Sequence, residues 1–193
     1  MNGKYNMLYL SSLAMFFILH LIPLNTRLRT IFTDRMGEKP YRALFRITIL
    51  AIFVLGIWSW NDFQNIYFYE PPLFMKQIHL AIMFPVVYLW ILAEVPNNMK
   101  RFIKHPMLTG MKLWAVGHLL ANGDLRSMIL FISFLVFSVF AVIASNKRNE
   151  VKQHKVVPLA YDLAVLAGAV ALYSLLAHFH GSLFGMPVKP YFM

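Results

Sequence analysis

Six apolar runs of membrane length, separated by short basic segments, leave this chain few ways to fold. The runs lie at about 6–24, 43–60, 74–93, 106–122, 127–145 and 158–180, and roughly 20 apolar residues make one helical crossing of a bilayer. They take up most of the 193 residues, so no separate soluble domain fits beside them. Charged residues form 13% of the chain, against about 25% in soluble domains. The expectation is one transmembrane domain over 1–193, all-α, an integral membrane bundle of six transmembrane helices.

The charges sort by side. Fourteen of the eighteen Lys and Arg fall in the first, third and fifth loops or just inside the adjoining runs: Arg27, Arg29, Arg35, Lys39, Arg42 and Arg46; Lys100, Arg101, Lys104 and Lys112; Lys147, Arg148, Lys152 and Lys155. The other side receives Lys4, Lys76, Arg126 and Lys189. By the positive-inside rule both termini lie on the outer, periplasmic side. A formal charge of +10 would suggest nucleic acid in a soluble protein; here membrane orientation explains it, and no nucleic-acid partner is expected. The chain has no cysteine, which excludes disulfides, thiolate nucleophiles, iron–sulfur clusters and covalent c-type haem. The N-terminal run lacks a small-residue cleavage site and is expected to be kept as a span.

Local signals fill in the frame. Segment 26–42 reads as a short surface helix followed by a turn at Gly37. The outer loop 61–73, with Trp58 and Trp60 before it, is aromatic in the manner of an interfacial belt, with a ligand-binding patch as the sharper alternative. Pro85 falls mid-span and predicts a kink. The last run carries Ala160, Ala164 and Gly168 with Ala167 and Ala171 adjacent, a stripe suited to close helix packing or to a flat cofactor.

The stretch 105–125, HPMLTGMKLWAVGHLLANGDL, places an imidazole inside an apolar helix. Pro106 suits a first helical position, and Asn122-Gly123-Asp124 predicts an end at which Gly123 takes a positive φ. Gly110, Trp114, Gly117, His118 and Ala121 share one helical face. An ionisable group at membrane depth faces the protein interior or a cofactor, so His118 is the central candidate. His20, His79, His178 and His180 also fall in or beside spans, while His105 and His154 sit in basic loops where solvation is expected. Two helices each presenting a neutral imidazole can hold a six-coordinate haem; a structural, hydrogen-bonded histidine is the plainer reading. His20 lies near the inner end of its span and His118 nearer the outer end of its own, roughly 10 Å apart in depth. On depth, His79, His178 or His180 serve equally well as partners.

Asp162 and Lys112 fall at comparable depths and predict a mutual ion pair, or one from Asp162 to Arg46, with a proton relay as the sharper reading. Glu94 is expected to be solvated. No nucleophile with its base, phosphate-cradling glycine loop or paired carboxylates occurs, which excludes a conventional hydrolase or kinase.

Three blocks in order, HLIPLNTRLR with GEKPYRALF (20–29, 37–45), the 105–125 block and HGSLFGMP (180–187), resemble the NnrU family of small multi-pass membrane proteins over nearly the whole chain. That family is linked to denitrification and nitric oxide metabolism, and it is similar to the plant and cyanobacterial 15-cis-zeta-carotene isomerase, an integral membrane haem b protein. The resemblance implies haem b with His118 and His20 as the iron ligands. Trp114, Asn122, His79 and His180 are the further candidate cofactor-binding residues. The isomerase's alternative cysteine ligand has no counterpart here, where Ala115 stands one turn before His118, and the long extension of the plant enzymes is missing.

The expected function is a multi-pass protein of the bacterial inner (plasma) membrane that binds haem b and serves nitrogen-oxide respiration, with membrane lipid and respiratory or denitrification proteins as partners. Two alternatives stand beside it. One is a haem-dependent cis-trans isomerase acting on a lipophilic, carotenoid-like polyene, so that enzyme activity is left open. The other is a non-catalytic helix bundle for assembly or transport.

Overall fold

A computed structural model describes residues 2–60, 63, 66–147 and 155–185. Among these, regular structure is helical: α1 (Asn2–Leu24), α2 (Thr26–Met36), α3 (Glu38–Trp60), α4 (Leu73–Glu94), a 3-10 turn (Asn98–Arg101), α5 (Pro106–Ala121), α6 (Leu125–Lys147) and α7 (Leu159–Phe184). Five segments are long and apolar enough to cross a membrane: Met7–Leu24, Glu38–Trp60, Leu73–Glu94, Leu125–Lys147 and Leu159–Phe184. The expected fourth span is α5, whose 16 residues rise about 24 Å, short of a hydrocarbon core about 30 Å thick. The chain divides into two compact units, Met1–Asn65 and Ile66–Met193.

In the first unit α1 and α3 pack antiparallel, for Tyr9 near the start of α1 meets Trp60 and Phe63 edge-on at 5.7 and 5.1 Å. Small residues set the crossing: Ser12 Oγ lies 3.4 Å from where a Cβ on Gly56 would stand. The Ser12 and Ser59 hydroxyls donate to carbonyls of their own helices, which satisfies them where water is scarce. The surface helix read from the sequence is α2, capped by Asn25, whose side chain accepts from the Leu28 N–H. It ends at Gly37, where φ is +84°, a conformation that favours glycine.

In the second unit α5 lies between α4 and α6, and α7 packs against α4. Asn97, buried, donates from its amide to the Leu92 and Val95 carbonyls and accepts from the Lys100 N–H, which closes α4 and opens the 3-10 turn. Asn98 pairs both ways with the Val157 peptide and donates its backbone N–H and its amide to the Asp162 carboxylate at 2.8 and 2.5 Å. The expected Asp162 ion pair is therefore corrected. Its partner is Asn98, and Lys112 and Arg46 make no ion pair among the described residues.

Three other expectations change. Gly123 has no positive φ; a Cβ there would collide with the Tyr69 carbonyl oxygen, so close backbone approach requires the glycine. That approach is an antiparallel bridge between Tyr67 and Asp124, with Phe68 N–H donating to Gly123 O and Leu125 N–H to Ile66 O. His105 is not merely solvated, for its Nε2 pairs with Asn146 Oδ1 at 3.0 Å and ties the start of α5 to the end of α6. On α7, Ala160, Ala164, Ala167 and Ala171 are exposed. The packed face runs through Val165, Gly168 and Ala169, with Gly168 against Ile91 and Tyr173 edge-on to Phe84. Side-chain size alone does not tell which of two small-residue faces finds a neighbour. α4 stays helical through Pro85. His154, Arg148, Lys152 and Lys189 lie outside the described residues.

Candidate functional site: a histidine pair on adjacent helices

α5 is built to let α4 come close. Gly110 and Gly117 stand two turns apart on its buried face. A Cβ at 110 would fall 2.8 Å from the Trp90 indole nitrogen, and one at 117 would fall 2.5 Å from Met83 Cε and 3.3 Å from His79 Nδ1. Each glycine thus seats a nitrogen-bearing ring of α4. Both nitrogens, Trp90 Nε1 and His79 Nδ1, are buried and lack a well-formed hydrogen bond among the described residues.

His118 follows Gly117 and meets His79 edge to face, ring centres 4.6 Å apart at 76°. Phe131 of α6 stacks on the His118 ring at 4.5 Å and 26°. Trp114, one turn earlier, lies 5.1 Å away and is itself wedged against Phe131 and Phe134. His180 of α7 is an electrostatic neighbour of both His79 and His118. Asn122 caps α5 with both its backbone N–H and its amide donating to the His118 carbonyl at 2.9 and 2.8 Å. The second unit therefore brings together His118, His79, Trp114 and Asn122 around one turn of α5, with His180 close by. His178 is exposed, its ring contact being with its neighbour Phe179.

The His118 ring is oriented by its own helix. Nδ1 lies 2.9 Å from the Trp114 carbonyl oxygen. A carbonyl can only accept, so Nδ1 carries the proton and Nε2 keeps the lone pair. Nε2 makes no hydrogen bond among the described residues. His20, in the first unit, repeats the pattern: its Nδ1 lies 2.7 Å from the Phe16 carbonyl, with Phe16 and Phe45 against the ring at 4.3 and 5.4 Å. A ring nitrogen donating to a backbone carbonyl is the usual second shell of a metal-ligating histidine, and at His118 it leaves Nε2 with its lone pair.

Metal–nitrogen bonds near 2.0 Å put the centres of two trans imidazoles about 6.4 Å apart, whereas the His79 and His118 rings are in contact at 4.6 Å. No group of three or more His, Asp or Glu placed to hold a metal ion occurs among the described residues. The sequence reading missed Gly117 as the seat of His79, the Met83 contact and the Phe131 stack. Met83 was findable, being one helical turn from His79; Phe131 is one phenylalanine among seventeen and carries no local signal.

Five helices of membrane length and a part-buried histidine pair define a multi-span integral membrane protein with imidazoles inside its helical bundle. The chain belongs to the NnrU family, whose model, described as NnrU protein, matches residues 8–188. No curated protein and no solved structure matches it.

Proposed function

We propose that this chain is a haem b-binding protein of the bacterial inner membrane that acts in nitrogen-oxide respiration. The observation that carries the reading is the Nδ1 bond from His118 to the Trp114 carbonyl, which leaves Nε2 as a basic nitrogen without a hydrogen bond. The donor set fits: an imidazole held in one tautomer, with aromatic rings beside it, would hold haem iron through its free nitrogen. His20, with the same local bond, is the second candidate ligand. When bound, haem supplies an iron centre that takes up small diatomic molecules or passes single electrons. The residues here hold His118 in place: Trp114 fixes the tautomer, Phe131 and His79 confine the ring, and Asn122 ends the helix beyond it.

We also read α5 as a sixth crossing, with both termini on the periplasmic side. The 22 residues from Leu125 to Asn146 on α6 span a rise of about 32 Å, and the α5 segment is tied at both levels, by the His105–Asn146 bond and by the short Asn122–Asp124 connection. Asn122, extended at its C-terminal end, adds to the length of the short helix.

The experiment is a pyridine haemochrome assay with an absorption spectrum on detergent-purified protein, for wild type and for His118→Ala and His20→Ala. Near-stoichiometric haem, lost in His118→Ala, is expected. A protein free of haem after expression with ample supply would sink the reading. A purely structural histidine predicts reduced stability in His118→Ala with no chromophore in either protein.

A further inference from the structure

The junction of α2 and α3 holds more positive charge than its own acids neutralise. Arg29 and Arg42 both reach Glu38 at 2.7 Å, a clasp across the Gly37 elbow that sets α2 against the first turn of α3. Arg27, Arg35, Lys39 and Arg46 are exposed and make no ion pair among the described residues. Arg46 stands eight residues into a membrane-length helix, about 12 Å from its start. A bare guanidinium at that depth is costly, and an arginine there is long enough to reach the surface for an anion. Lys39, Arg42 and Arg46 share one face of α3, at spacings of three and four.

The other half of the surface is apolar. Leu28, Ile31, Phe32 and Met36 of α2 recur at spacings of three, four and eight and are 41, 48, 37 and 37% exposed. No residue of α2 is buried. Eleven residues are too few to cross a bilayer, and an apolar stripe beside cationic side chains is the pattern of a helix lying in the plane of the membrane–water boundary.

We propose that α2 and the first three turns of α3 form a binding site for an anionic phospholipid. The head-group phosphate is held by Arg27, Arg35, Lys39 and Arg46, and the acyl chains lie along Leu28, Ile31, Phe32 and Met36. The cations and the apolar stripe lie on two helices packed against each other, which suits a phosphate that carries acyl chains rather than a free anion. Glu38 acts as the organiser of the site: by engaging Arg29 and Arg42 it fixes the elbow and leaves the other four cations for the ligand.

The test is competition between lipids on the full-length protein in detergent. Equal amounts of phosphatidylglycerol and phosphatidylcholine are added, and the lipids retained are counted by native mass spectrometry. Wild type is expected to keep phosphatidylglycerol at least about tenfold over phosphatidylcholine. Each of R27Q, R35Q, K39Q and R46Q lowers that preference about fivefold, the usual contribution of one basic residue at an anionic surface. R35K and R46K restore most of it. Equal retention of the two lipids by the wild type would overturn the proposal, as would an unchanged preference in single variants of normal helicity. Displacement of the lipid by millimolar inorganic phosphate would reassign the surface to free anions and overturn it too.

Discussion

The two units carry the same local motif in different company. In each, a histidine donates from Nδ1 to the carbonyl four residues earlier, at 2.7 Å for His20 and 2.9 Å for His118. Around His20 the ring contacts are phenylalanines of α1 and α3. Around His118 three helices of its unit contribute a second histidine, a tryptophan and a phenylalanine, and an asparagine caps the turn. The helix by itself chooses the tautomer of a histidine; its neighbours decide how firmly the ring is held. The units differ in the same sense elsewhere. The first joins its membrane helices through small and aromatic residues, while the second adds polar clasps at its ends, through Asn97, Asn98, Asp162 and Asp124.

The largest effect that would sharpen this contrast is on cofactor retention. His118→Ala is expected to lose nearly all haem, and His20→Ala to keep a fraction with an altered spectrum, both read by pyridine haemochrome. Equal loss in the two variants would break the contrast. Gly123→Ala comes next, because backbone rather than a movable side chain stands in the way of its Cβ; about 2 kcal/mol of stability is expected to go, measured by thermal unfolding in detergent. Asn98→Ala removes bonds to Val157 and Asp162 at once and is expected to cost about 1–2 kcal/mol, with earlier hydrogen exchange at the start of α7. Gly117→Ala should cost less, since the flexible end of Met83 can swing away, yet it presses on His79 Nδ1 and should shift the haem spectrum. In the first unit Gly56→Ala meets Ser12 at ordinary contact distance and should change stability by less than about 0.5 kcal/mol.

Much of the scaffold was legible. Apolar runs of about 20 residues located five membrane-length helices, Pro106 and Asn122 bounded α5 closely, and Gly37 marked the elbow after a surface helix. These are signals along the chain, from periodicity, caps and turn residues. What could not be read depends on distant neighbours. Asp162 looked like half of an ion pair because charge is visible in a sequence, whereas the Asn98 amide that binds it lies 64 positions away and is neutral. Gly123 looked like a left-handed cap because glycine after a helix usually is one; the strand-like approach of Tyr69 gives it another task. Arg126, counted among the outer charges, is buried in the first turn of α6.

One feature of α5 bears on which reactants the protein can serve. His118 stands three residues from the helix end at Ala121, about 4.5 Å along the axis. With α5 as the crossing proposed above, the imidazole stands near the end of its helix rather than at the bilayer midplane. A small polar molecule arriving from the watery compartment would meet it without traversing oil, whereas an extended polyene stretched along the lipid tails would have to climb out toward it.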